Sequence, residues 1–188
     1  MAKAKTGAFY LTEQVILTAT NTAVQGSISL ASYVDVASRQ GIAIESVDFM
    51  YQGFVAAGND YQPSLSSISV ASPPGAPLTT GAQLLDVQRG NGIVSAADRA
   101  LVGSASLVQG IQGGLYHQSD LYPDNYGPVA TEEARIVVND TLFFTAISNN
   151  DFGGTSEMAV TVRVKARIVT LSERDFMSIA ITSSAADN

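Results

Sequence analysis

The chain has no cysteine and a single histidine, His117. The first absence excludes a disulfide framework and any thiolate metal site, and it leaves the redox compartment unreadable. The second excludes, by count, a His-cluster zinc site, a cupin-type metal centre and a two-His metalloprotease helix. Charge is scarce as well: Asp, Glu, Lys and Arg make up 14% of the 188 residues, against roughly 25% in an average soluble domain. The charge present has the wrong sign for wrapping nucleic acid, since 10 basic and 17 acidic residues give a net -7 that repels a phosphate backbone. Only Lys3 and Lys5 cluster near a terminus. No apolar run approaches the ~18 residues of a bilayer span, and the opening Met-Ala-Lys-Ala-Lys-Thr-Gly lacks the apolar core of a secretion signal.

Hydrophobic residues reach 46%, and most of the remainder is Ser, Thr, Gly and other small or neutral residues. A surface so poor in charge serves a monomer badly. The composition therefore predicts that copies of the chain cover much of each other's exterior. The length fits one domain, read here as residues 8–182, with a flexible arm over 1–7 and a polar tail over 183–188.

Met158 to Thr170, MAVTVRVKARIVT, carries the strongest periodicity. Met158, Val160, Val162, Val164, Ala166 and Ile168 alternate strictly with Thr161, Arg163, Lys165 and Arg167, the period of a pleated strand. At 3.6 residues per turn the valines would scatter around a helix, and β-branched side chains also favour the sheet. Such a strand runs roughly 40 Å at about 3.3 Å per residue, so it needs a large partner sheet. Its three cations either decorate a solvated face or meet a neighbour's carboxylates or a polyanion; sequence does not separate these.

Further strands are expected at Phe9–Leu11 with Gln14–Thr20, Ser27–Val36, Ile42–Gln52, Leu65–Ala71, Gln83–Gln88 and Leu101–Gln109. In Ile42–Gln52 the apolar parity flips between Ile42/Ile44 and Val47/Phe49/Tyr51, which predicts a β-bulge at Glu45-Ser46. Gly41 is expected to close the preceding corner with a positive φ. Three prolines within 72–77 exclude a strand there. Gly110 to Val129 reads as the longest irregular segment, with Tyr116, Tyr122 and Tyr126 in it. Asn139-Asp140 reads as a hairpin turn between Arg135–Val138 and Leu142–Ile147, and 148–154, with Phe152, as a loop tip. Ser172 and Asp175 resemble a capping box that would start a short helix over Glu173–Ile179. No repeat of 20 to 50 residues is visible, and turn signals every dozen residues point to an all-β protein, an antiparallel β-sandwich or jelly roll with short helical turns.

Little here suggests catalysis or a cofactor. His117, Ser119 and Asp120 have the residue types of a hydrolytic triad, but they crowd into four positions, whereas triad members come from separate elements. Asp120, Asp124 and Asn125 could offer oxygens to Ca²⁺ but match no calcium-loop spacing. Glu132 and Glu133 are adjacent and would face opposite sides of a strand. The glycines near Asn91-Gly92 and at 110–114 have no Lys-Ser/Thr after them, so no phosphate cradle is indicated. The three tyrosines could stack on sugars or pack against a neighbouring subunit.

Four stretches taken together are similar to the single jelly-roll major capsid proteins of small icosahedral DNA viruses. They are SYVDVASRQGIAIESVDFMYQ (32–52), DLYPDNYGPVATE (120–132), NDTLFFTAISNN (139–150) and VRVKARIVTLSERDF (162–176). The resemblance implies an eight-stranded sandwich of two four-stranded sheets, with the last strand pairing against an early one. It also implies a virion location and function by assembly with copies of itself as a trimer, pentamer or larger capsomer, without catalysis, cofactor or metal. Other virion proteins or an internal membrane would be further partners, and direct wrapping of nucleic acid is not expected. Arg163, Lys165, Arg167, Tyr116, Tyr122, Tyr126 and Phe152 are the candidate subunit contacts. The alternative is a carbohydrate-binding or receptor-binding jelly-roll module such as a fibre head.

Overall fold

The computed structural model describes residues 2–55, 58, 60–63, 78–110, 116–122, 134–149 and 156–185. They form eleven strands and a helix. The strands are β1 (Lys3–Ala4), β2 (Phe9–Leu17), β3 (Val24–Ser29), β4 (Gln40–Val55), β5 (Asp60–Pro63), β6 (Leu78–Leu85), β7 (Leu101–Gly110), β8 (Tyr116–Tyr122), β9 (Arg135–Val137), β10 (Thr141–Ser148) and β11 (Ser156–Thr170); the helix is α1 (Glu173–Ala185).

β11 is the spine. Its 15 residues pair antiparallel with β4 along their whole length and with β2 on the other side, and β1 continues the β2 edge. β5 and β9 pair with opposite ends of β4, which completes a six-stranded sheet. The second sheet runs β3-β10-β6-β7-β8, all antiparallel. The path β2, β3, β4, β6, β7, β9, β10, β11 visits first sheet, second, first, second, second, first, second, first. That is the connectivity of a jelly roll. Eight of these strands fall at or near stretches expected from sequence, although the expected pair Phe9–Leu11 and Gln14–Thr20 is the single strand β2, ending at Leu17; β1, β5 and β8 are added, so the sheets have six and five strands in place of four and four.

The main core lies between the sheets. Val15, Leu17, Ile42, Ile44, Val47, Val160 and Val162 come from one sheet, and Leu84, Val102, Leu142 and Phe144 from the other. The expected bulge is there: Ser46 pairs with Lys165 and Ile44 with Ala166, so Glu45 is the extra residue. It lets Ile42, Ile44, Val47, Phe49 and Tyr51 all reach one core despite their change of parity. A smaller cluster lies on the outer face, where α1 sets Phe176 against Ala43, Val138, Val169 and Leu171. On the other sheet the 86–100 connection folds over the outer face, tied by the buried Gln83, whose side chain bonds both N and O of Val94 at 2.7 and 2.9 Å.

Several local expectations change. Residues within the expected free arm lie along β11: Lys3 and Ala4 pair with Thr170 and Val169, and Lys5 N donates to the Ile168 carbonyl at 2.8 Å. The positive φ sits at Arg39 (54°), while Gly41 is inside β4. Gly41 is required for space, because a Cβ there would meet the Val137 carbonyl oxygen at 2.9 Å. Asn139-Asp140 does not close a hairpin: β9 pairs with β4 and β10 with β3 and β6, so the chain crosses between sheets at that turn. Part of the expected long loop, Tyr116–Tyr122, is a strand added to β7; the unpaired edge of β7 supplies the hydrogen-bonding template that local sequence does not reveal. β3 stops at Ser29, where Tyr33 N and Val34 N fold back to the Leu30 carbonyl, so the strand expected to reach Val36 ends in a turn. The expected strand at 65–71 and the proline segment 72–77 lie outside the described residues.

Candidate functional site: the exterior of the six-stranded sheet

The cation row of β11 is positioned by the pleat, which sends Arg163, Lys165 and Arg167 outward while the intervening residues fill the core. The bulge supplies their counter-ion. As the extra residue at the kink, Glu45 turns outward, and its carboxylate accepts from Arg167 Nε at 2.5 Å and lies 3.3 Å from Lys165 Nζ. Only 5% of that side chain is exposed. Burial on its own would raise the Glu45 carboxyl, but the hydrogen bonds and charges of Arg167 and Lys165 outweigh it and hold the group below the usual glutamate range. Arg163 lies over the Tyr10 ring, 4.4 Å from its centroid, a cation–π contact, with Asp48 directly across the ladder. Beyond it Gln14 Nε2 donates to Thr161 Oγ1 at 3.0 Å, and Gln14 Oε1 accepts from the Tyr61 hydroxyl at 2.9 Å. Each of the three cations is thus engaged within its own chain.

A second charged group sits where the sandwich, β9 and α1 meet. Arg135 Nη2 bonds Asp86 Oδ2 at 2.9 Å and the Arg99 carbonyl at 2.8 Å. Asn139 Nδ2 donates to the Asp86 carbonyl at 2.5 Å. Burial pushes the Asp86 carboxyl above its usual range, and the bond and charge of Arg135 offset this only in part. These residues border a cleft of about 490 Å³, closed on its other sides by Ile136, Ile179 and Thr182, with the exposed Arg99 at its mouth. Sequence carried no signal for this pair, because Asp86 and Arg135 are 49 positions apart, one just after β6 and the other at the start of β9 in the opposite sheet. Ser178 and Thr182 also line the cleft, and the charge of Asp98 acts on Asp86; the Arg135 bond ties the start of β9 to the turn after β6.

No family model matches the chain, and no curated protein matches it. Among solved structures, one from Desmodium yellow mottle tymovirus is similar at a TM-score of 0.31 and 10% identity, over 88% of this chain and 90% of that one. That degree of likeness says nothing further about this chain.

The other candidate contacts divide. Tyr116 and Tyr122 are the first and last residues of β8, at the register of Gly110 and Ser104 on an edge of the five-stranded sheet. His117, Ser119 and Asp120 lie in the same strand, opposite Gln109, Leu107 and Ser106. Tyr126 and Phe152, with Asp124 and Asn125 of the weak calcium expectation, lie outside the described residues. Among the described residues no group of three or more His, Cys, Asp or Glu is placed to hold a metal ion, and no helix is long and apolar enough to cross a membrane.

What sequence reasoning missed is apolar. Val36, at the corner before β4, is 71% exposed, and on α1 Met177 and Ile181 are 53% and 59% exposed. Met177 lies within the helix expected over Glu173–Ile179, and Ile181 falls two residues beyond its expected end.

Proposed function

We propose that this chain is a self-assembling shell subunit of an icosahedral virion, acting through contacts between copies and not through catalysis. The observation that carries this reading is the character of the exterior. The cations of β11 and the Asp86–Arg135 pair are satisfied within the chain, while Val36, Met177, Ile181 and Tyr10 protrude. A surface that consumes its own charges and leaves large apolar groups in water is suited to being covered by further copies. The jelly roll suits the role as a stiff brick, although the same fold also serves lectins. The reading therefore draws its support from the surface, and the resemblance of the 32–52, 139–150 and 162–176 stretches to single jelly-roll capsid proteins points the same way. The genome's charge would then fall to a packaging motor, an internal membrane or a separate basic protein, because a net -7 repels phosphate.

Electron microscopy of the purified protein, paired with sedimentation over a concentration series, is the test. Trimers, pentamers, larger capsomers or closed shells are expected. A persistent monomer that instead binds defined sugars on a glycan array would replace this reading with the sugar- or receptor-binding module.

A further inference from the structure

The cleft between α1 and the start of β9 carries charges that do not cancel. Asp86 is held by Arg135 at 2.9 Å, and Asp98, whose charge also acts on Asp86, is paired with Arg89 at 3.3 Å. Arg99 lines the same cleft and is exposed. Its carbonyl is taken by Arg135, but its guanidinium has no partner among the described residues. Once the two pairs are set aside, Arg99 is left over as a single positive charge, in a chain whose total is -7.

The walls around that charge are of two kinds. Ala134, Ile136 and Ile179 present apolar surface, while Ser178 on α1 has a hydroxyl with no partner among the described residues. The volume of about 490 Å³ falls among small-ligand pockets, which combine apolar walls with a few placed polar groups. One surplus cation balances a monoanion, whereas a phosphate ester, at about -1.5 to -2 near neutral pH, would leave the cleft negative. The planar fork of an arginine also fits a carboxylate through two parallel hydrogen bonds.

We infer that the cleft is a binding site for a small monocarboxylate with a short apolar body. The Arg99 guanidinium takes the carboxylate, the Ser178 hydroxyl is a second donor, and the apolar body lies against Ile136 and Ile179. The Asp86–Arg135 pair neutralises itself, so it neither repels the ligand nor competes with Arg99 for it. The site goes beyond the shell-subunit reading and stands whether or not copies of the chain assemble.

Isothermal titration calorimetry on the full chain tests it, with hexanoate, acetate, hexylamine and inorganic phosphate as probes. Hexanoate is expected to saturate a single site and to bind at least about tenfold more tightly than acetate, because its added methylenes bury apolar surface. Hexylamine, a cation at neutral pH, and phosphate are expected not to displace it. Arg99→Gln should weaken hexanoate by about tenfold, the loss of a charge-assisted hydrogen bond. Arg174→Gln removes the same charge from an exposed position of α1 outside the cleft and should leave binding unchanged; circular dichroism checks that both variants fold. No saturable hexanoate binding at millimolar concentration, equal weakening by both variants, or displacement by phosphate or hexylamine overturns the site. It is overturned as well if hexanoate does not bind and Arg99→Gln instead lowers the association of copies in sedimentation, since Arg99 then belongs to a contact between subunits.

Discussion

Glu45 is the residue on which the outer face turns, because the bulge that places it there also sets it between Lys165 and Arg167. Removing its charge leaves two cations facing each other over a partly buried surface. Glu45→Gln is expected to cost about 1–2 kcal/mol near neutral pH, within the range for a buried group that loses its partner. The sign with pH follows from the lowered carboxyl. Its contribution is complete above the ordinary glutamate value of about 4.3 and disappears as pH falls through the lower folded value. Urea midpoints should therefore separate parent and variant at pH 7 and converge in acid; a gap that persists unchanged at pH 3 would refute the ion-pair role. Asp86 runs the opposite way, since its raised carboxyl favours the folded state when protonated and costs stability as pH rises through that value. A second residue-scale prediction separates space from backbone conformation at the corner before β4. Gly41→Ala drives a Cβ toward the Val137 carbonyl and should cost about 1–3 kcal/mol as an overpacked site. Arg39→Gly, at the positive φ, should be close to neutral, because glycine relieves the left-handed strain while losing chain entropy. Thermal melts giving the reverse order would mean that the sequence-based expectation for Gly41 was right and the close approach is not limiting.

At the scale of elements, α1 depends on its first turn. Ser172 Oγ accepts from Asp175 N at 3.2 Å, and Phe176 N closes on the Ser172 carbonyl at 2.9 Å. The Asp175 carboxyl, hydrogen-bonded to the Ser172 side chain, is held below its usual range, so Ser172 caps the helix at the position its spacing suggested. Ser172→Ala should loosen the helix by about 1 kcal/mol. Hydrogen exchange should then speed up in α1 while β4 and β11 keep their protection; equal protection of α1 in both proteins would mean the cap is not holding it. The bulge in β4 was legible from five side chains because a strand's period is two, and any inserted residue shows as a change of parity. The β9–β10 turn was only half legible. Asn139-Asp140 marks a turn of the chain, but a turn carries no record of whether the strands it joins pair with each other or with strands far away.

For the whole molecule, charge decides which partners are excluded and packing decides which are invited. A chain at net -7, with each cation of β11 engaged internally, should leave duplex DNA unshifted in a mobility assay at physiological salt. A salt-sensitive shift would show that a locally basic face outweighs the total. What the sequence by itself determined is what depends on periods and counts: an all-β chain, the long amphipathic strand of 158–170, the bulge at Glu45-Ser46, the cap at Ser172 and the exclusion of thiolate and His-cluster metal chemistry. What only the tertiary structure decided is which strands lie side by side and which charges meet. Glu45 reaches Arg167 across 122 positions and Asp86 reaches Arg135 across 49, and the same local pattern permits many such pairings. Sequence separation sets no distance in space once a chain crosses between sheets. The row of cations therefore read as an open surface until the fold brought a carboxylate to it, and the exposed ridge of α1 became visible only when the helix was seen to have a sheet on one side and water on another.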